Sequence, residues 1–288
     1  MAETTGMYEI RGLQINKLVK GYSDEAIVFK KFCQISSTPN REIRWYQKTS
    51  GYLDSADTSG ITASQIDDIS PGAKPVSIGP SFTRQTSMCR AYKADSELIT
   101  IEDERDMDPD VLAITVRDVV RGVMRRVDAR IYSILSANAG NTVASQNGGW
   151  NASGGDPISD ILDAKKLIRE DSYEPKGINL LLSPADEKNL ILYIISTKGS
   201  SIPGYSSNVI TSSIVDGILQ CKVTVSTNVT ADEAMLVADK ACKWKEFMPL
   251  RHYIIDQPGI GKIVRVVEEG EAILEEPNAC CKITGTQV

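Results

Sequence analysis

Along residues 109–137 the apolar side chains Leu112, Val116, Val119, Val120, Val123, Val127, Ile131 and Ile134 recur at steps of three and four. That spacing is the period of an α-helix with one buried stripe. Asp108 suits the N-cap, Pro109 the first helical position, and Asp110 adds a carboxylate to the first turn, where unpaired N–H groups concentrate positive potential. At ~1.5 Å per residue the predicted helix Pro109–Ala137 is a rod of roughly 40 Å. Gly122 interrupts it at a cost of ~1 kcal/mol against alanine, so this position marks either close packing or a bend. A second amphipathic pattern over Ile158–Asp171, with Ile158, Ile161, Leu162, Leu167 and Ile168 apolar, predicts another helix. Ala185–Ile195 predicts a third.

Period-two alternation and short apolar runs mark strands. "GINLLLSP" (Gly177–Pro184) is predicted as a buried strand, and "GILQCKVTVS", "EAMLVADK", "RHYIID" and "KIVRVVEEGEAILEEPNACCKITG" supply further ones. The first third differs. Residues 1–50 predict an extended or partly helical arm, with one short helix at Ser23–Phe32. Residues 54–75 are rich in Ser, Asp and Gly and predict a linker or surface loop. Val76–Asp103 reads as two strand-like halves turning near Lys93–Ser96, with too few large apolar residues to stand alone. Asn138–Pro157 and Gly199–Asn208 predict loops. The class is α+β, an extended first third feeding a compact remainder.

With 288 residues and a net charge of -6, the chain can bury a substantial core and is not a basic nucleic-acid binder. No signal-peptide pattern opens the sequence, and the longest apolar run, Leu190–Ile195, is far too short to span a bilayer, so synthesis in the cytoplasm is expected. The six cysteines lack CxxC spacing and read as buried thiols. Adjacent Cys280 and Cys281 would point to opposite faces of a strand.

Candidate chemistry falls away on counting. Asp106, Asp108 and Asp110 begin like a calcium loop, but Val111 and Arg117 stand where the required glycine and bidentate glutamate belong. "QPGIGKIV" has Asp256 and Ile263 where a phosphate loop needs Gly and Ser or Thr. His252 is the lone histidine, and the pairs Glu268/Glu269 and Glu275/Glu276 read as solvated faces. The expectation is no catalytic residue, no cofactor and no metal.

The order of elements resembles the Hong Kong 97-type major capsid protein of tailed viruses. It runs from an arm and a long hairpin through a spine helix with an acidic cap and the "INLLLSP" strand to "VDGILQCKVTVS" and a closing "AILEEPNACCKI" strand. The resemblance implies an N-terminal arm and linker (1–75) and an extended hairpin loop (76–105) that reaches over a neighbouring subunit. It further implies a peripheral domain with the spine helix (106–157 and 257–288) and an axial domain (158–256). Pro277 and Ala279 fall at the family's "P-x-A" place. Cys221-Lys222-Val223 departs from the G-x-P-V that members often carry after the turn at Gly217–Leu219, and no long coiled-coil scaffolding segment precedes the arm. The implied protein is a structural one, located in the virion capsid. It would form homo-hexamers and homo-pentamers of an icosahedral shell around double-stranded DNA, without gripping that DNA. Portal, scaffolding and decoration proteins would be its partners, and no membrane is involved. An encapsulin-like nanocompartment shell and a soluble α+β enzyme are the rival readings.

A shell also gives the helix charges a use. Arg117/Arg121, Arg121/Arg125 and Arg126/Arg130 are like-charge i,i+4 pairs, each costing an isolated helix ~0.2–0.5 kcal/mol. Asp118 and Asp128 offset only part of this. The balancing groups are expected outside the helix, at Glu102, Asp103, Glu104 and Asp106 or within Glu268–Glu276 of a neighbour; a solvated basic face is the alternative.

Overall fold

A computed structural model describes residues 19–23, 27–48, 70–74, 82–102, 109–170, 177–198, 219, 221–239 and 241–287. The expected helix cap at Asp108, the acidic residues 103–106, the side chains of 109–112 and the loop 199–208 lie outside the described residues.

Two five-stranded sheets and a two-stranded ribbon form around one long helix. The strands are β1 (Gln34–Ser37), β2 (Glu42–Lys48), β3 (Phe82–Met88), β4 (Arg90–Asp95), β5 (Ile99–Thr100) and β6 (Asn141–Ala144). They continue with β7 (Ile178–Leu182), β8 (Cys221–Val225), β9 (Glu233–Ala238), β10 (Cys242–Gln257), β11 (Gly261–Leu274) and β12 (Cys280–Thr284). The helices are α1 (Pro109–Asn138), α2 (Pro157–Glu170) and α3 (Pro184–Tyr193). The first sheet has the order β1-β10-β11-β4, with β5 also on β11; the second has β6-β12-β9-β7-β8.

The three helices predicted after residue 108 form where the periodicity places them. α1 spans 30 residues, and Val116, Val120, Val123, Met124, Val127, Ile131, Tyr132 and Leu135 are buried along it. The stripe is broader than the valines and isoleucines alone suggest, because Met124, Tyr132 and Leu135 join it. Truncating one of its fully buried members, such as Ile131, to alanine removes ~2–5 kcal/mol of packing. α2 buries Ile161, Ala164 and Ile168, while Leu162, expected on the inner face, is exposed. α3 starts at Ser183, whose hydroxyl accepts a hydrogen bond from the Asp186 N–H at 3.1 Å, with Pro184 at the first helical position.

The second sheet is a wall between two cores. Leu181, Met235, Val237 and Cys280 pack into the cluster around α1, whereas Leu180, Leu182, Leu236 and Cys281 pack with Ile161 and Ile168 of α2. A strand covered on both faces reads as a continuous apolar run, which is why all five residues of "INLLL" are buried. Cys280 and Cys281 do face opposite sides. β11 closes the α1 core from the other direction with Val264, Val266, Ala272 and Leu274.

The first third is wired differently from its local pattern. The stretch Val76–Asp103 is not a hairpin folded on itself. β3 pairs with β2 from Glu42↔Met88 to Lys48↔Phe82, and β4 pairs with β11 from Arg265↔Asp95 to Gly270↔Arg90. Thus the two arms of the projecting ribbon come from sequences some 40 residues apart, and β4 lies on the first sheet. The helix expected at Ser23–Phe32 does not form over its described part: residues 27–33 are turns, and the short helix seen, residues 19–23, lies ahead of it. The sheets also cut across the sequence boundaries near 157 and 257: β10 belongs with β11, whereas β6 and β12 join the sheet of β7, β8 and β9.

Gly122 is exposed, and a Cβ built on it meets nothing within 4 Å. Packing among the described residues does not require glycine there. Gly122→Ala should therefore raise the stability of the unassembled subunit by ~1 kcal/mol, seen as a higher urea midpoint at unchanged slope.

Candidate functional site

β11 carries three carboxylates, Glu268, Glu269 and Glu271, which are 0%, 3% and 0% exposed. A charge taken out of water must be paired and hydrogen-bonded to persist. Each of the three is paired, and the partners come from distant parts of the chain. Lys30 Nζ lies 2.7 Å from Glu268 and 3.1 Å from Glu246 of β10. Arg41 Nη2 reaches Glu269 at 3.0 Å, with Lys93 Nζ at 3.6 Å. Arg130 Nε of α1 donates to Glu271 at 2.7 Å, and Arg90 Nε of β4 stands 3.4 Å from its other oxygen.

Asp128, two residues before Arg130 on α1, fixes Lys30 in place. Its carboxylate accepts hydrogen bonds from the backbone N–H groups of Val28 (2.7 Å), Phe29 (3.2 Å) and Lys30 (3.1 Å). Burial pushes the Asp128 carboxyl above its ordinary 3.8, opposed by those N–H groups. Burial likewise pushes Glu268 above its ordinary 4.5, opposed by Lys30, and its Oε2 makes no hydrogen bond among the described residues. For Lys30 burial acts to lower the pKa, but the two glutamates outweigh it and the amine stays charged. Its ammonium also sits 5.7 Å from the Trp244 ring centroid.

These placements correct two sequence readings. Glu268/Glu269 is no solvated pair, and Asp128 does not offset the helix arginines; it holds a turn. The available signal was "VRVVEEGEAIL", three glutamates inside an otherwise apolar strand. Glu275 does lie at the surface, 32% exposed, with Lys243 Nζ 2.5 Å away.

Among the candidate residues, Arg130 is engaged by Glu271 of its own chain. Arg117 lies 3.3 Å from neighbouring Asp118, and Arg125 Nη2 donates to Thr227 Oγ1 at 3.0 Å. Arg125 and Arg126 are exposed, and Arg117 and Arg121 are partly so. Glu102 is exposed; Asp103, Glu104 and Asp106 lie outside the described residues. Among the described residues, four cations (Arg41, Arg90, Lys93 and Arg130) stand against the two carboxylates Glu269 and Glu271. Arg41, Arg90 and Lys93 are each more than half exposed.

The two other features first weighed for chemistry are structural. Gly259 takes a positive φ of 77° in the tight β10–β11 turn, so "QPGIGK" is a hairpin rather than a phosphate cradle. His252, opposite Val266, lines a cavity of about 550 Å³ with Lys20, Lys31 and Glu246, and burial pulls its pKa down. Among the described residues no cluster of His, Cys, Asp or Glu is placed to hold a metal ion, and no helix is long and apolar enough to cross a membrane.

The family model of the phage capsid protein matches residues 90–266, more than half of the chain. The chain belongs to the phage capsid protein family. Solved structures give the same fold, which is that of Hong Kong 97-type capsids. The capsid of the cyanophage P-SCSP1u aligns with a TM-score of 0.68 at 8% identity, covering 90% of this chain and 88% of that one. A chain of Mycobacterium phage Che8 gives 0.62 at 13% identity, covering 87% and 86%. The virus-like particle from Pyrococcus furiosus gives 0.61 at 9% identity, covering 94% and 97%. No curated protein matches the sequence. Membership makes this capsid protein a structural one, which works by self-assembly in the virion capsid, and weighs against the α+β enzyme reading.

The buried carboxylates give the capsid protein a testable pH dependence. The folded-state pKa of Glu268 is raised, so the folded chain holds a proton there that the unfolded chain releases. Its contribution to stability is complete below about pH 4.5 and is lost as pH rises through the folded value. Glu268→Gln cannot titrate. The unfolding free energy of wild type minus that of the variant, from urea titrations across pH 4 to 8, should therefore fall as pH rises; a flat difference would contradict the assignment.

Proposed function

We propose that this chain is the major capsid protein of a tailed virus, assembling as hexamers and pentamers into an icosahedral shell around double-stranded DNA. The observation that carries the reading is the phage capsid family match over residues 90–266. The subunit's shape supports it: a ribbon projects from the body, and Tyr46, Phe82 and Met88 on it are 66%, 56% and 65% exposed. A two-stranded ribbon gains little stability alone and needs a further surface.

In this reading the segment before β2 acts as the arm, the β2–β3 ribbon as the reaching loop, α1 with the first sheet as the peripheral domain, and the second sheet with α2 and α3 as the axial domain. The basic ridge of Arg117, Arg121, Arg125 and Arg126, extended by Arg130, is a subunit interface. Its partner is the acidic run Glu102, Asp103, Glu104 and Asp106 of a second copy. Opposite charge supports this pairing. The net charge of -6 suits a wall that encloses DNA without adhering to it. Portal, scaffolding and decoration proteins complete the particle, and the subunit is made in the host cytoplasm. A shell without a genome is the second reading, favoured by the near-complete coverage of the virus-like particle from Pyrococcus furiosus.

Electron microscopy with light scattering of the purified protein tests the shell. Hollow particles are the expected outcome; a small species under every assembly condition would refute it. Nucleic acid extracted from particles made in infected cells separates the two readings. For the interface, Arg121→Glu with Arg125→Glu should lower the yield of particles at low salt by tenfold or more and leave the isolated subunit folded. Unchanged assembly from low to high salt would remove the ridge from the contact.

A further inference from the structure

Cys33 immediately precedes β1, and β1 runs parallel to β10 with Gln34 opposite Lys243. One step back along both strands sets Cys33 beside Cys242. Their sulfur atoms are 3.0 Å apart, closer than the ~3.5–4.0 Å at which even smaller carbon atoms rest against each other. Neighbouring strands lie roughly 4.7–4.9 Å apart, inside the Cα–Cα span of ~4.4–6.8 Å that a disulfide bridges. Both residues are buried, 7% and 1% exposed, and both are thiols in the structure. Of the other four cysteines, only Cys280 shares their apolar cluster.

We propose that Cys33 and Cys242 form a disulfide when the protein leaves a reducing compartment, with a small-molecule disulfide of the glutathione type as the oxidant. Cys33 is the more exposed of the two and reacts first. Its thiol gives a proton to solvent, the thiolate attacks one sulfur of the oxidant, and the displaced glutathione thiolate takes up a proton. Cys242, deprotonated in turn, attacks the Cys33 sulfur of the mixed disulfide and releases the second glutathione. One small disulfide and two protein thiols become one protein disulfide and two small thiols.

The bond ties the N-terminal segment to β10 across 209 positions of sequence, a span that takes in the ribbon, α1 and four of the five strands of the second sheet. A cross-link closing so long a loop restricts the unfolded chain strongly. Such bonds persist in oxidising surroundings and not in a reducing cytosol. The Cys242 hydrogen bond and burial both hold the Cys33 pKa well above the usual thiol range, so closure is slow at neutral pH and faster in alkali. The chemistry holds for the isolated chain whether or not it builds a viral shell.

The test incubates the full-length protein with oxidised or reduced glutathione at mildly alkaline pH, then unfolds it, alkylates free thiols and maps the peptides by mass spectrometry. The expected result is six alkylated cysteines under reduction, and after oxidation four plus a linked Cys33–Cys242 peptide. The oxidised chain should migrate faster on a non-reducing denaturing gel and unfold at higher temperature. Cys33→Ser and Cys242→Ser should each abolish the shift, and Cys280→Ser should retain it. Six free thiols after prolonged oxidation, a stable glutathione adduct at Cys33, or a Cys242–Cys280 bond would overturn the proposal; the wild-type measurement stands even if a variant misfolds.

Discussion

The strip Glu268–Glu271 on β11 is the constraint around which the rest of the chain is arranged. Three carboxylates in a dry strand are tolerable only while Lys30, Arg41, Arg90, Lys93 and Arg130 stand against them. Removing one partner of a buried pair typically costs ~3–5 kcal/mol, because the other charge is left uncompensated. Apolar residues in place of buried ion pairs are often as stabilising and impose no such pairing requirement. The cations arrive from the N-terminal segment, the approach to the ribbon, β4 and α1, so four segments distant in sequence must dock in one arrangement to neutralise one strand. This places the requirement for a unique tertiary structure in the ionic strip and leaves bulk stability to the α1 core.

Asp128 shows how closely the two systems are coupled. It stands on the buried face of α1 between Val127 and Ile131, where a hydrophobic residue would continue the stripe. Instead it gathers three consecutive backbone N–H groups and so orients Lys30 towards Glu268. The helix that organises the core thereby also positions the N-terminal segment, and β1 follows from that segment directly onto the edge of β10.

Local pattern was enough to locate α1, α2, α3 and four of the five strands of the second sheet, because burial on one or both faces writes a period of 3.6 or a continuous apolar run into the sequence; β6 lies inside the stretch Asn138–Pro157 that reads as a loop. It could not reveal which strand pairs with which. β2 and β3 carry mostly exposed residues and no packing code, and their pairing closes over an intervening stretch from residue 49 to 81. A hairpin within Val76–Asp103 satisfied every local rule and was wrong for that reason. The buried carboxylates were illegible in a related way: a glutamate's burial depends on a cation far away in sequence, so Glu268/Glu269 looks like any surface pair until Lys30 and Arg41 are placed. The arginine ridge was legible as an oddity, three like-charge pairs on one helix, but its balance was not. Arg130 turns inward to Glu271, whereas Arg125 and Arg126 remain at the surface.

That division within the ridge bears on how an acidic protein can associate with copies of itself. A subunit with net charge -6 repels its neighbours at long range, yet the surface around β4 and α1 holds more cations than the buried glutamates consume. Because Glu269 and Glu271 are shielded by protein while Arg41, Arg90 and Lys93 are more than half exposed, the positive side of these pairs faces outward. Repulsion between whole subunits decays over a Debye length of ~8 Å at physiological salt, so at contact distance the local charge pattern decides the outcome. A positive edge on a negative body then favours one mode of approach over a random one, and does so reversibly, since each exposed pair contributes only ~0.2–1 kcal/mol. Weak contacts repeated many times over a closed surface permit misplaced subunits to leave before the shell closes, which a single strong contact would prevent.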